Sequence, residues 1–506
     1  MSEKIAKAWA VGAALFFLIC AGLFASGQSI WVDETTQLQG LTLPIGEQFL
    51  WLTGQGRPEL GVPADRMPPL SYWLGIIWSS LFGLSENSLR AFGVLAVLSA
   101  MPALYASGRR ISGSLGGAFL VAALCSAPGL IIMAGEIRTY PVFFALSVWG
   151  FRAYVGAIFA ETVSERNRWF WWLAAFSILM SYAHFFGVVA SCCLFGGLAL
   201  HQLLHKRSLW LVLEIFAVVA LTWVGLIPFI QAAMAISGET NASSMSFGDA
   251  IKDILRFVIR LFVDPVFLAN RPALLLLGLA LGFLAVLLLI RLVRTAPQVR
   301  RAGLALLAPA AAAIGGLGLL SLVISGFEVL RPSYSIWLLP VLFGSLTFAL
   351  SQEERSPWLR GVPILAMMAL VSGHLMAAGT LLRHNTLYSH GAGEWLAAQI
   401  DRPEVTLIIH DDADAWGHSY FPLRFLEGPG LTQVVRGVDA DYTEFANMRV
   451  MPIPDISEFQ AGFEAQYRVH TFPLSGAARA AIVRGETTCA RSIGREVKSL
   501  QPFERG

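Results

Sequence analysis

Eleven stretches of roughly 20 mostly apolar residues punctuate the chain, near positions 8–27, 88–107, 115–134, 139–158, 168–184, 185–204, 209–234, 272–293, 302–324, 334–351 and 360–382. Lipid offers no partner to a backbone N–H or C=O, so runs of this length must close their hydrogen bonds internally, as helices. The expected fold is a polytopic all-α membrane protein of about eleven transmembrane helices. Composition agrees, because only 14% of the 506 residues are charged, against about a quarter in a soluble domain. A net charge of +2 gives no footing for a nucleic-acid partner. Cys20, Cys125, Cys192 and Cys193 lie inside the apolar runs and only Cys489 lies outside them, which is no disulfide framework.

Orientation follows from the basic residues. Lys4 and Lys7, Arg109-Arg110, Arg166 with Arg168, His205-Lys206-Arg207, the cluster from Arg291 to Arg301, and Arg355 with Arg360 all fall on one side. The positive-inside rule makes that side the cytoplasm. The first run is read as a retained anchor, because a cleaved signal has a shorter apolar region. A further apolar run, Pro69 to Gly83, would invert every later loop if it crossed the membrane, so it is expected to lie on the outer face. Residues 28–87 then form one long external segment, and ordered loops of that length are usually functional. From about residue 383 the chain turns polar. Helix and strand signals, 394–400 and Val405 to Ile409, point to a small external α/β domain over 383–506, outside the transmembrane domain 1–382.

Four constellations emerge on the outer side. Trp31-Val32-Asp33-Glu34 follows the first run, where a falling dielectric raises a carboxylate toward the range of a general base; the plainer reading is a solvated loop with an aromatic anchor. Glu136-Ile137-Arg138-Thr139-Tyr140 leaves the third run. It is either a structural ion pair or a phosphate or sugar contact, with Glu136 orienting Arg138. Tyr182-Ala183-His184 marks a sharp turn, and a histidine there is either a hydrogen-bonded interface residue or a ligand contact. Arg331-Pro332-Ser333-Tyr334 is either a snorkelling anchor or a cation for a lipid-linked phosphate. Together they suit an amphiphilic, phosphorylated substrate. Few ionisable groups lie near the middle of the runs, Glu214 being near an end, whereas a proton-coupled transporter usually places them there.

The ordered set resembles the GT-C superfamily of glycosyltransferases, and within it the family 39 type bacterial relatives of protein O-mannosyltransferases and lipid A aminoarabinose transferases. The carrying residues are Trp31-Val32-Asp33-Glu34, Pro68-Pro69-Leu70-Ser71-Tyr72, Phe82-Gly83 with Ser85-Glu86 and Leu89-Arg90, Glu136 to Tyr140, Tyr182 with His184, and Arg331 with Tyr334 and Pro340. The resemblance spans about residues 8–345. It implies sugar transfer from a polyprenyl-phosphate-linked donor to lipid A, a glycan or a protein, on the periplasmic face of a bacterial inner membrane. The N-terminus is then cytoplasmic and the C-terminal domain periplasmic, with membrane lipids around the body. Asp33 matches the catalytic base, with Glu34 assisting and the anomeric centre inverted. Arg66, Tyr72, Glu136, Arg138, Tyr140, His184, Arg331 and Tyr334 are the candidate substrate contacts.

One departure is visible. Many relatives carry a histidine just before the paired prolines, where this chain has Asp65-Arg66-Met67. No cofactor is expected. Asp33 and Glu34 have the oxygen chemistry to hold a hard cation, but the resemblance does not call for one. His410-Asp411-Asp412-Ala413-Asp414 reads as a solvated turn after a strand rather than a metal site. Two competing readings are a transporter or flippase for a lipid-linked glycan, and a non-catalytic envelope scaffold.

Overall fold

The computed structural model describes residues 2–26, 32–55, 64–236, 247–262, 271–323, 330–350 and 357–384, and five strands of the tail. The chain divides into two units: residues 1–22, 41–56 and 64–382, and residues 23–40, 57–63 and 383–506.

The larger unit is helical. Helix α1 (Glu3–Ser26) opens the chain; α2 (Val32–Leu41) belongs to the second unit up to Gly40, and α3 (Ile45–Leu52) and α4 (Leu70–Phe82) return to the larger one. Then come α5 (Glu86–Leu98), α6 (Met101–Cys125), α7 (Pro128–Gly135), α8 (Tyr140–Ile158), α9 (Val163–Ala183) and α10 (Phe186–Leu204). The remainder is α11 (Trp210–Thr222), α12 (Ile227–Ile236), α13 (Phe247–Phe262), α14 (Arg271–Arg294), α15 (Pro297–Val323), α16 (Leu338–Thr347) and α17 (Pro357–His384). Eight helices among the described residues are long and apolar enough to cross a membrane. Large apolar side chains such as Leu23, Leu221, Leu279, Val293 and Leu365 stand exposed on them. A soluble monomer does not expose apolar surface on this scale. The protein is a multi-pass membrane protein.

All eleven expected runs are helical, and three differ from a simple span for physical reasons. The stretch Glu86–Cys125 runs through α5, a turn at residues 99–100 and α6, and its path turns again at Ser112 and Gly113, whose φ is +73°. A Cβ on Gly108 would stand 2.3 Å from the carbonyl oxygen of Gly116, and one on Gly117 2.8 Å from that of Tyr105. Residues twelve apart touch only if the helix reverses, so this stretch supplies two of the expected spans. Helix α9 has 21 residues but begins with Glu165, Arg166 and Arg168, which lower its hydropathy. The run 334–351 is a turn followed by α16 and a short 3-10 segment, Phe348–Leu350. At about 1.5 Å per residue it is too short to cross alone.

The described parts of the segment 28–87 carry helices, as expected of it. Asp33 and Glu34 fall in the first turn of α2. The Pro69–Gly83 run is α4, whose 13 residues cannot span; Ser71, Tyr72 and Gly75 are buried while Ile77, Leu81 and Phe82 are exposed. Helix α13 was not anticipated, because its apolar Phe257 and Leu261 alternate at helical spacing with Lys252, Arg256 and Arg260.

In the second unit, strands β1 (Val405–His410), β2 (Thr432–Arg436), β3 (Arg449–Ile453), β4 (Arg468–Leu474) and β5 (Ala478–Arg484) form one sheet ordered β3-β2-β1-β5-β4. The β1–β2 and β2–β3 pairs are parallel, and β5 runs antiparallel to both β1 and β4. The expected strand at Val405 is β1. The expected helix at 394–400 and the acidic positions 411–414 lie outside the described residues.

At one end of the bundle, Arg109 reaches Glu3 at 3.1 Å, while Arg110 reaches Glu161 at 3.6 Å and Glu165 at 3.5 Å. The N-terminus and both turns therefore share one face. Replacing Gly108 with valine should destabilise the protein by more than the ~1–3 kcal/mol of ordinary overpacking, because the obstacle is backbone. Thermal unfolding in detergent checks this; an unchanged midpoint contradicts the hairpin.

Candidate functional site

Asp65 is where the site is built. It is 8% exposed, and Arg138, which emerges between α7 and α8, is 6% exposed. The Arg138 Nη1 donates to Asp65 Oδ2 at 2.9 Å and Nη2 faces Oδ1 at 3.5 Å. The Tyr72 hydroxyl donates to the same Oδ2 at 2.7 Å, and the Arg66 backbone N–H donates to Oδ1 at 2.8 Å. A buried carboxylate without such donors is unstable; here four donors converge on it. The segment before the paired prolines, α4 and the α7–α8 junction are thereby pinned together.

Neighbouring contacts hold that junction. Arg90 of α5 is buried; its Nη1 donates to the carbonyl of Gly135 at 2.6 Å, and Glu86 accepts from its Nη2 at 2.8 Å. The Thr139 hydroxyl reaches Met67 Sδ at 3.8 Å, and the Ser71 hydroxyl reaches the Ala183 carbonyl at 3.5 Å. That last bond links α4 to the turn that carries His184.

His184 ends α9, and Phe185 and Phe186 start α10 at once. This reversal needs Gly187, because a Cβ there would lie 2.3 Å from the Met180 carbonyl. The imidazole lies flat on Phe143, with centroids 5.0 Å apart at 17°, and is ringed by Tyr140 at 5.7 Å, Tyr334 at 5.3 Å and Phe186 at 5.8 Å. Its Nδ1 accepts the Phe186 N–H at 3.1 Å. The proton is therefore on Nε2, which is buried and has no hydrogen-bond partner among the described residues. Burial, with Arg138 nearby, pushes the His184 pKa down to about 3, so the ring is neutral at pH 7. A buried neutral N–H donor beside a guanidinium is a pair suited to an anionic or sugar oxygen. The Arg331 guanidinium stands 5.7 Å over the Tyr334 ring at the exposed rim.

The structure thus gathers Tyr72, Arg138, Tyr140, His184, Arg331 and Tyr334, with the backbone of Arg66, at one end of the bundle. It also adds a residue, because a carboxylate on Arg138 is Asp65, which the sequence alone did not place there. Glu136 ends α7 and is half-buried. Asp65 was passed over as a departure from a pattern; a carboxylate seven residues before Tyr72, near an arginine in another external turn, was the available signal. Glu34 is buried in α2, and the Asp33 side chain lies outside the described residues.

No family model matches the chain, and no curated protein matches it in sequence. Among solved structures, ArnT from Cupriavidus metallidurans bound to undecaprenyl phosphate superposes with a TM-score of 0.57 at 13% identity, over 96% of this chain and 99% of that one. The same protein in the apo state gives 0.58 at 14%, over 95% and 98%. The chain shares the fold of that protein along nearly its whole length.

Two outcomes follow. Breaking one side of the buried pair, by Asp65→Ala or Arg138→Ala, should cost about 3–5 kcal/mol, and the double variant much less than the sum. Additive losses in a denaturation cycle contradict the pairing. For His184, the unfolded ring takes up a proton near pH 6.5 and the folded ring only near pH 3, so stability falls as pH drops through that window. A His184→Phe variant should lose this part of the pH dependence of the unfolding midpoint; parallel curves contradict a neutral buried ring.

Proposed function

We propose that this protein is a glycosyltransferase that moves a sugar from a polyprenyl-phosphate-linked donor to an envelope acceptor. The observation that carries the proposal is the buried Arg138 beside a neutral His184 N–H donor, under an aromatic rim, in a chain sharing end-to-end the fold of a protein seen with undecaprenyl phosphate. The basic residues at the opposite end support a periplasmic placement of the site in an inner membrane, with a cytoplasmic N-terminus and a periplasmic tail domain.

In this reading Arg138 and Arg331 receive the donor phosphate, and Asp65 keeps Arg138 extended toward it. His184 donates through Nε2 to a phosphate or sugar oxygen, while Tyr140 and Tyr334 cover an apolar face of the sugar or the first isoprene. Asp33 takes the proton of the acceptor hydroxyl as its oxygen attacks the anomeric carbon. The bond from that carbon to the phosphate oxygen breaks, its electron pair leaves with polyprenyl phosphate, and the configuration inverts. Glu34 and Arg66 position the first external segment. Charge that grows on the departing phosphate is what the arginines stabilise, an effect worth about 2.7–4 kcal/mol per well-placed donor.

The test is transfer by purified protein supplied with a polyprenyl-phosphate sugar and an envelope glycolipid extract. Asp33→Asn should lower turnover by roughly 10²–10⁴-fold with helicity and polyprenyl-phosphate binding retained. Full activity in that variant overturns Asp33 as base. Movement of the lipid-linked sugar across sealed vesicles without a new glycosidic bond overturns the transferase reading in favour of a transporter.

A further inference from the structure

At the end of the bundle opposite His184, α9 begins and α10 stops. Helix α9 has 21 residues, about 30 Å at 1.5 Å each, so its two ends lie a membrane thickness apart. The α10 terminus is built to project cations. The Lys206 N–H donates to the Leu203 carbonyl at 2.9 Å and the Arg207 N–H to the Gln202 carbonyl at 2.9 Å. This is the double bond of a helix stop that glycine usually fills, yet Lys206 fills it at φ 53°. A long cationic side chain has been kept where glycine relieves strain. The His205 ring folds back to donate Nδ1–H to the His201 carbonyl at 2.9 Å, with the two imidazoles 4.3 Å apart.

Helices α9 and α10 pack against each other across the reversal at His184, so Arg166 in the first turns of α9 lies at the same end as His201 and Arg207. The nearby carboxylates are engaged elsewhere: Glu161 and Glu165 both face Arg110, and Glu165 also accepts from Trp169 Nε1 at 3.4 Å. Among the described residues neither Arg166 nor Arg207 has a carboxylate within ion-pair distance. Among the described residues, Arg166 Nε, Asn167 Oδ1, His201 Nδ1 and Gln202 Oε1 are buried at this end without a hydrogen-bond partner. His201 and Gln202 are each only 2% exposed. Buried polar atoms of this kind call for a ligand or ordered water. Depth comes from Trp210, which starts α11 just after this terminus and is 68% exposed. An exposed tryptophan at a helix end marks the headgroup level of a bilayer.

We infer that Arg166, Arg207 and His201, with Asn167 and Gln202, form a binding site for the phosphate headgroup of an anionic phospholipid in the leaflet opposite the sugar-transfer site. The two guanidiniums take the phosphate oxygens, which a planar fork suits. The unpartnered amide oxygens accept from headgroup hydroxyls, so a glycerol headgroup is satisfied where choline is not. The site is independent of the proposed donor site and of its chemistry.

Native mass spectrometry of the purified full chain in detergent, with phosphatidylglycerol or phosphatidylcholine added, tests the inference. The unaltered protein should retain phosphatidylglycerol and shed phosphatidylcholine. Arg166→Gln with Arg207→Gln should weaken phosphatidylglycerol retention by roughly an order of magnitude or more. Arg207→Gln alone, at an exposed position that does not threaten folding, should show a smaller loss, and helicity by circular dichroism should be unchanged. Equal retention by all three proteins overturns the site. Competition by millimolar inorganic phosphate as effective as that of the lipid also overturns it, by making the ligand a free anion.

Discussion

The buried contact between Asp65 and Arg138 is the constraint on which the outer end of the bundle depends. Taking two such charges out of water costs several kcal/mol each, which their attraction offsets only when geometry and further hydrogen bonds are good. Tyr72 and the Arg66 N–H supply those bonds. Two parts of the chain far apart in sequence, Asp65 to Tyr72 and Arg138, are thus obliged to meet at one carboxylate. Arg90 holds the Gly135 carbonyl just before the arginine, and Ser71 ties α4 to the His184 turn. A nonpolar substitute of equal volume would serve stability as well. The retained charge therefore makes most sense as a means of presenting a fixed guanidinium.

Much of this fold was legible in the chain because lipid imposes a simple rule. Runs near 20 apolar residues had to be helices, and the basic residues had to gather on one side. What stayed hidden was what hydropathy averages away. Helix α9 trades apolarity for Arg166 and Arg168 at its start, α16 is shortened by the turn at Pro332 to Trp337, and the amphipathic α13 has no run at all. Within the site, Arg138, Tyr140, His184 and Tyr334 stood out as polar or aromatic residues at the ends of runs. Asp65 did not, because an aspartate beside an arginine before two prolines looks like an ordinary turn. Only the fold brings Arg138, 73 positions later, onto it. Asp33 belongs to a different case: its place in α2 replaces the solvated loop, while its role rests on the resemblance.

The two ends of the bundle solve opposite problems with the same residue types. At the Asp65 end one arginine is buried and paired. At the other end Arg109 and Arg110 meet carboxylates, while Arg166 and Arg207 have none within ion-pair distance among the described residues, which suits a surface that must stay in register with a leaflet. A transferase working on a lipid-linked donor needs both properties, since its substrate arrives through the membrane plane at a fixed depth. In the proposed reading, anchoring at one face and phosphate capture at the other are parts of one geometry about 30 Å tall.

The measurement that tests the central claim most directly is equilibrium binding of undecaprenyl phosphate to the purified protein and to its Arg138→Gln variant, with folding of each verified by circular dichroism. A charge-assisted hydrogen bond is worth about 1.5–3 kcal/mol, so the account predicts saturable binding that weakens at least roughly tenfold when the guanidinium is removed. Equal affinity in the two folded proteins would show that Arg138 is structural only and that the phosphate is held elsewhere.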